Sequence, residues 1–549
     1  MLPLCNFTAE VVKDVIKDDG LEPVRIFEIT GRLASGRRLP TLTVPADRFY
    51  TMTWVAQWGV DAVISAGMGV KDRLREAIQL ASKGAKQEQI FTHIGWRKFL
   101  DKWVYLYAGG AVGVLDILVE PDEGLERYSL PADGDVKEGL AVSLKLLEEI
   151  AAPDITFPLW AAVFRAPTAF LLYPTFVLWL CGETGSLKST LAALFLSHYG
   201  AFTKDSLPAS WLSTDNALEQ QAFLCRDAIL VVDDYSPERN PREAAALDRR
   251  VNRFVRQIGN RSARDRMTAD LHLRKSFTPN ALVVSTGEQL PLAVSSVAAR
   301  IFPVNFSREK IGLQKVTEAQ LKAHLLPQAM RGYLKWLAPQ LDSLAKELPC
   351  RFFKLREKAI IKGHARLPET VAHLQIGMEL GLKFAVYAGV ITEKRAQELE
   401  ALCWELLLDL AREHAKTLEE EKPTIKFIQT LDAIFAQGKG YLLSKSGKKP
   451  EMAERFGWAD LAYSGDLLGW IDEDAIYLIP EAAWRAVQEY LRGSGGFPVR
   501  ERTLREMLLK EEILLPDMKT GWTTQVVRIG ESLRRVLCLN KHLYLKLLA

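Results

Sequence analysis

Phe176-Val177-Leu178-Trp179-Leu180-Cys181-Gly182-Glu183-Thr184-Gly185-Ser186-Leu187-Lys188-Ser189-Thr190 decides how this chain is read. The apolar run ending at Cys181 has the composition of a buried strand. A turn carrying Gly182 and Gly185 follows, then Lys-Ser-Thr, then a helix through Leu191, Leu194 and Phe195 that stops at Gly200. Strand, loop and helix in that order make a phosphate-binding loop. Successive backbone N–H groups and a helix N-terminus surround an anion with unpaired donors and a positive dipole end. Gly182, Glu183, Thr184, Gly185, Ser186, Leu187, Lys188, Ser189 and Thr190 are therefore the expected nucleotide-binding segment. Lys188 is expected to reach the β- and γ-phosphates of ATP, and the Ser189 hydroxyl to ligate Mg2+. The pattern asks for glycine at its first and sixth positions. Gly182 complies; Leu187 holds the sixth, and Gly185 supplies flexibility two residues earlier.

Two later runs complete a nucleotide site. Ala228-Ile229-Leu230-Val231-Val232-Asp233-Asp234 is continuously apolar until its two acids, as a buried parallel strand should be. Ligands sit at the carboxyl ends of such strands. Asp233 is the expected Mg2+ residue, and Asp234 the group that orients or deprotonates the attacking water. Aspartate is one methylene shorter than the glutamate usual at that second position. Asn280-Ala281-Leu282-Val283-Val284-Ser285-Thr286 is a third buried strand, closed by Gly287-Glu288. Ser285 and Thr286 both fit a γ-phosphate contact, and Thr286, last before the turn, is preferred. Downstream, Arg300 precedes an apolar segment. An arginine there can offset developing charge on a neighbouring subunit's nucleotide, or serve as a surface ion pair.

The densest basic stretch lies between the second and third strands: Arg249, Arg250, Arg253, Arg256, Arg261, Arg264, Arg266, Arg274 and Lys275, opposed by Asp265 and Asp270. Arg249, Arg253 and Arg256 share a helical face. Gly259-Asn260 ends that helix, and residues 261–275 suit a hairpin or loop. Concentrated arginine in a chain of net charge +3 is the footprint of a phosphate backbone. Arg261, Arg264, Arg266, Arg274 and Lys275 are accordingly the expected nucleic-acid contacts, with the ATP site or a subunit interface as their alternative use.

The 549 residues suffice for three or four domains, and 48% hydrophobic with 25% charged residues is a globular composition. The expected division is an N-terminal α/β domain (1–150), an ATPase core (151–310), a helical region (311–425) and a C-terminal winged-helix-like domain (426–549). Strands are expected at Val24–Ile29, Thr41–Val44 and Trp103–Tyr107, and a helix at 71–83. Trp54, Trp58 and Trp96 could stack bases, but core packing is the favoured reading. The C-terminal order is two helices (481–492, 501–511), then strands at 522–529 and 535–539. Arg500, Arg502, Arg505, Lys519, Arg528, Arg534 and Arg535 there suit phosphates. Six scattered cysteines without metal-type spacing suit small core positions in a reducing cytoplasm. No secretory signal is read at the start. The apolar residues 157–181 are interrupted by Pro158, Arg165, Pro167 and Pro174, so a buried helix and strand are expected, not a membrane span.

The motifs Gly182–Thr190, Trp211-Leu212-Ser213-Thr214-Asp215-Asn216-Ala217-Leu218-Glu219, Val231–Tyr235 and Ser285–Glu288 resemble those of Cch-type, MCM-like AAA+ replicative helicases of mobile genetic elements. Thr92-His93-Ile94-Gly95-Trp96, the Trp103 strand and Gly109-Gly110-Ala111 resemble that family's leading domain. The similarity covers residues 20–310 best. MCM-type loops also lack glycine at the sixth position, usually carrying alanine. The resemblance implies a homo-oligomeric ring, hexameric, with ATP and Mg2+ between subunits. It implies a hairpin before the third strand that places 261–275 on DNA in a central channel, and an arginine at Arg300 acting in trans. A separate primase or loader is expected, since no primase-type acid cluster is present. The function implied is an ATP-driven DNA helicase; its rivals are a nucleotide-switched DNA-binding scaffold and a packaging or defence motor.

Overall fold

The computed structural model describes residues 3–99, 101–114, 116–122, 124–236, 240–262, 266–267, 273–274, 277–291, 295–361, 365–459, 462–492, 496–518 and 520–548. It is a mixed α/β protein. The backbone packs into two compact units: residues 1–238, 243–293 and 299–412 in one, and residues 239–242, 294–298 and 413–549 in the other.

The first unit begins with a five-stranded sheet in the order Arg38–Pro45, Val24–Leu33, Phe7–Asp18, Lys86–Phe91, Leu118–Val119. On its first strand Phe7 and Val11 are buried with Ile29 and Leu33, and after a bulge between Val11 and Lys13 the strand buries Val15 against Ile26 and Ile90 instead. That strand was not anticipated from the sequence. Helix Val70–Ala81 closes one face with Leu74 and Ile78. Trp54 and Trp58 are buried among Phe7, Phe49 and Val55, so they are core residues. Trp96 is buried too, and its indole N–H donates to the Pro167 carbonyl at 2.8 Å.

The centre of the unit is a five-stranded parallel sheet in the order Ala209–Ser210, Ile229–Tyr235, Leu282–Gly287, Val177–Cys181, Ile301–Asn305. Its three middle strands are buried on both faces, which accounts for their unbroken apolar runs. Helix Pro153–Arg165 packs on helix Leu367–Tyr387 so closely that a Cβ on Gly377 would lie 2.0 Å from the Ala161 carbonyl oxygen. Arg165, which interrupts the apolar run in the sequence, is fully buried. Its guanidinium donates to Thr168 Oγ1 (2.8 Å), to the Leu172 carbonyl and to His373 Nδ1 (3.0 Å). Among the described residues no helix is long and apolar enough to cross a membrane.

A separate three-stranded antiparallel sheet, Gly95–Phe99, Lys102–Tyr107 and Gly110–Val112, follows the N-terminal sheet, and a buried carboxylate joins it to this core. Asp227 accepts the backbone N–H groups of Trp96 (3.1 Å) and Phe170 (3.2 Å). Burial pushes its carboxyl up to about 7. Cys225, Cys403 and Cys538 are buried, as expected for small core residues; Cys350 is exposed, because its helix Leu341–Lys358 turns that face to solvent.

The second unit contains a six-stranded sheet: Gly440–Ser444, Asp466–Ile471, Ala475–Leu478, Ser532–Asn540 and Leu514–Leu515 in order, with Gln525–Ile529 pairing off Ser532–Asn540. Helices Pro423–Ala436, Pro480–Tyr490 and Glu501–Lys510 cover a core of Phe427, Leu431, Leu468, Leu478, Val487, Leu508 and Leu539. Two helices followed by an antiparallel ribbon are thus present, set into a larger sheet. On them Arg500, Arg502, Arg528, Arg534 and Arg535 are exposed, and Arg505 pairs with Glu501. Lys519 lies outside the described residues.

Three buried histidines set an acid limit on the first unit. Burial lowers His93 to about 3, His198 to about 4, and His373 well below the usual range. His198 Nδ1–H donates to the Phe195 carbonyl at 2.8 Å, so Nε2 accepts the Ser143 hydroxyl at 2.7 Å and has no room for a proton. Groups held neutral this way contribute stability above their unfolded pKa of about 6.5 and lose it as pH falls. Asp227, raised in the fold, has the opposite slope between about 4 and 7. Three protons against one leave a net fall of about 3 kcal/mol in unfolding free energy from pH 6.5 to pH 5. Urea titrations followed by tryptophan fluorescence will show it. His198→Gln, which cannot charge, should reduce that net slope by about half.

Candidate nucleotide-binding site

Helix Lys188–Leu196 starts where the loop ends, and Leu187 caps it with φ +63°. That left-handed conformation is the reason glycine is usual at this position; leucine adopts it at a cost of about 1–2 kcal/mol. Gly185, at φ +80°, makes the loop's other left-handed step. Gly182 is required for space: a Cβ there would lie 2.5 Å from the Phe306 carbonyl oxygen and 3.0 Å from Ser186 Oγ. The Lys188 ammonium folds back over the loop and donates to the carbonyls of Gly182 (2.6 Å) and Glu183 (2.8 Å) and to Ser186 Oγ (3.3 Å). Burial pulls it below the usual lysine range, opposed first by Glu288, then by Cys181, Asp233 and Asp234.

Asp233 is the meeting point. Its Oδ1 accepts the Ser189 hydroxyl at 2.8 Å and the Thr286 hydroxyl. Thr286 Oγ1 in turn accepts the Asp234 N–H at 3.0 Å. Ser189, at the head of the loop helix, and Thr286, at a strand tip, both singled out in the sequence, therefore meet on Asp233. Ser285 is used elsewhere: it is fully buried, and its hydroxyl accepts the Trp211 indole N–H at 2.8 Å. Asp234 is exposed with φ +64°, so its side chain turns out of the strand's regular course. Among the described residues no group of three His, Cys, Asp or Glu side chains is placed to hold a metal. The hard oxygens of Ser189 and Asp233 suit Mg2+, which takes one or two protein oxygens and completes its shell with phosphates and water.

Arg300 is 6% exposed. Its Nη2 donates to Asn260 Oδ1 at 2.5 Å, and its side chain lies so close to Gly259 that a Cβ there would be 2.1 Å from its Cδ. Burial, then the charges of Arg366 and Arg256, lower its pKa. In this chain, then, the guanidinium packs against its own subunit. Helix Pro241–Asn260 ends where Gly259-Asn260 suggests. On it Arg250 and Arg253 both pair with Asp215. Beyond it, Arg266–Met267 and Leu273–Arg274 form a two-stranded antiparallel ribbon. Arg266 and Arg274 are placed by that backbone pairing, and they face each other in register. Arg264 and Lys275 lie outside the described residues. Arg261 is exposed, with its guanidinium 4.9 Å from the Tyr173 ring centroid.

Two residues near the loop went unassigned in the sequence. Arg308 Nη1 donates to the Gly185 carbonyl at 3.2 Å, and Glu288 Oε1 accepts the Thr184 hydroxyl. Each lies just past the end of a sheet strand, at Asn305 and Gly287. That position relative to the loop strand was the available signal.

The family described as "Domain of unknown function (DUF927)" matches residues 55–271. No curated protein matches the chain by sequence. A solved structure titled "SCCmec type IV Cch - active helicase" is similar with a TM-score of 0.61 at 14% identity, covering 100% of this chain and 96% of that one. The chain thus has the fold of a Cch-type protein, the class its motifs resemble. An apo form of the NrS-1 C-terminal region gives a TM-score of 0.27 at 10% identity over 73% of this chain and 87% of that one, too low to establish a shared fold.

Gly182→Ala tests the packing of the loop. The added methyl must push the Phe306 backbone away from the strand edge, where the Phe306 N–H bonds the Cys181 carbonyl at 2.6 Å. Overpacking of this kind costs about 1–3 kcal/mol. Thermal melting should show a lower midpoint, and binding of a fluorescent ATP analogue should weaken along with it.

Proposed function

We propose that this chain is an ATP-hydrolysing AAA+ helicase acting on DNA in the replication of a mobile genetic element. The observation that carries the proposal is the Ser189–Asp233–Thr286 contact. It joins the head of the loop helix to two strand ends in a sheet whose order places the loop strand between the strand bearing Thr286 and Ile301–Asn305. A strand order with that convergence is what a phosphoryl-transfer site needs: a positive loop, a metal carboxylate and a polar sensor within one crevice.

In this proposal Gly182 to Thr190 hold the triphosphate, and Lys188 leaves its loop carbonyls for the β- and γ-phosphates. Mg2+ supplies charge neutralisation when bound. Ser189 and Asp233 hold it, and Thr286 keeps Asp233 oriented. The ribbon region 261–275 meets a DNA strand in the channel of a ring, which we take to be a hexamer. Arg300 serves a neighbouring subunit's nucleotide; to do so its guanidinium must leave Asn260 and Gly259. The second unit supplies a winged-helix-like contact to DNA or a partner, and a separate protein supplies priming or loading. We place the protein in the cytoplasm.

A nucleotide-switched DNA-binding scaffold with little unwinding is the second reading. The inward Arg300 and the outward Asp234 favour it. Strand displacement on forked DNA with ATP and Mg2+ separates the two. The helicase proposal expects unwinding at one overhang polarity. ATP turnover without displacement at either polarity, at low salt, supports the scaffold.

Lys188→Ala is expected to lower ATP turnover by at least about 100-fold, through loss of charge stabilisation in the transition state. Normal phosphate release in that variant removes the site assignment. Arg266→Ala with Arg274→Ala should weaken single-stranded DNA binding uniformly across sequences and lower the salt slope by about 1.4, at roughly 0.7 per phosphate contact. Anisotropy at several salt concentrations reads both.

A further inference from the structure

Water activation is the weakest assignment in the proposed ATPase. Asp234 has a short side chain, and its backbone is turned to φ +64°. A different carboxylate reaches the loop. Glu288 lies one residue past the strand Leu282–Gly287, which sits in the sheet between the loop strand and the strand bearing Asp233. Its backbone N–H donates to the Tyr235 carbonyl at 3.2 Å, which fixes the turn to the end of the Asp233 strand. Its Oε1 accepts the hydroxyl of Thr184, the third residue of the phosphate loop. Lys188, the residue meant for the terminal phosphates, feels Glu288 more strongly than Asp233 or Asp234. Glu288 is exposed, so its carboxylate is open to water.

We propose that Glu288, not Asp234, is the carboxylate that orients and deprotonates the attacking water. The proposal rests on the ATPase reading above and names a residue within it. In the step, the water oxygen forms a bond to the γ-phosphorus. The bond from that phosphorus to the β–γ bridging oxygen breaks, and its electron pair leaves on ADP. The water proton passes to a Glu288 carboxylate oxygen. Nothing is oxidised or reduced. Glutamate supplies the extra methylene that Asp234 lacks, and Thr184 holds the carboxylate at the loop as a positioning residue. Asp234 retains a backbone role, donating its N–H to Thr286.

The test uses the full chain with Mg2+ and compares Glu288→Gln with Asp234→Asn. Binding of a fluorescent ATP analogue and single-turnover hydrolysis are measured for each, across pH. For Glu288→Gln, nucleotide affinity should stay within about threefold while hydrolysis falls about 100-fold or more, in the range of a lost general base. Asp234→Asn should lose less than about tenfold, since its backbone contact remains. The inference is overturned if Asp234→Asn is inactive while Glu288→Gln turns over normally. It is also overturned if Glu288→Gln loses nucleotide binding, which would make the residue a brace for the loop. Failure of the ATPase reading itself looks different: the unmodified protein binds or hydrolyses no ATP, and both claims fall together.

Discussion

One oxygen atom constrains the candidate nucleotide site. Asp233 Oδ1 accepts hydroxyls from two different strand–loop junctions, Ser189 at the head of the loop helix and Thr286 at the tip of the neighbouring strand. A shared acceptor can satisfy both donors only if the two junctions keep a fixed separation. The Asp233 backbone adds a third tie, since its carbonyl accepts the Trp211 N–H at 3.0 Å while the Trp211 indole bonds Ser285. Four elements are thereby registered through one residue. A group arriving at Ser189 must compete with the carboxylate for that hydroxyl, so any change at the loop is felt at the Thr286 strand. That is the physical requirement for coupling a change at the loop to the rest of the unit.

The same strand is gripped at its other end. Asp227 precedes Ile229 and binds the backbone of Trp96 and Phe170, while the Tyr105 hydroxyl donates to its carbonyl at 3.0 Å. Asp233 and Asp227 thus bracket one strand, with the loop Gly182–Leu187 at one end and the three-stranded sheet that carries Trp96 and Tyr105 at the other. Arg97, on the hairpin beside Trp96, forms an ion pair with Asp18 at 2.8 Å, extending the connection into the strand Phe7–Asp18. The N-terminal sheet is therefore linked, through that hairpin, to the strand that carries Asp233.

What could be read in the sequence follows from how local each signal is. The loop, the two acids and Thr286 were legible because each sits at a strand end, where an apolar run stops abruptly. Even the irregular Leu187 has a local cause, since its φ of +63° is the conformation the motif's usual glycine relieves. The first strand, Phe7–Asp18, was missed because lysines and acids occupy its solvent face and dilute the alternation. Glu288 and Arg308 were missed because their importance comes from a neighbouring strand's position, which spacing along the chain does not encode. Fold class was legible in the runs; the partnerships across the crevice were not.

The arginines mark the limit most sharply. Sequence density alone treats Arg250, Arg253 and Arg261 as one basic surface and sets Arg300 apart. The folded chain divides them further. Arg250 and Arg253 share the single carboxylate of Asp215, Arg261 lies against the Tyr173 ring, and Arg300 is buried beside Asn260. An arginine already paired with a carboxylate contributes little further to a phosphate backbone, because counterion release depends on uncompensated charge. Density along the chain therefore overstates the basic surface, because spacing does not encode which guanidiniums share a carboxylate, lie on a ring or are buried beside an amide.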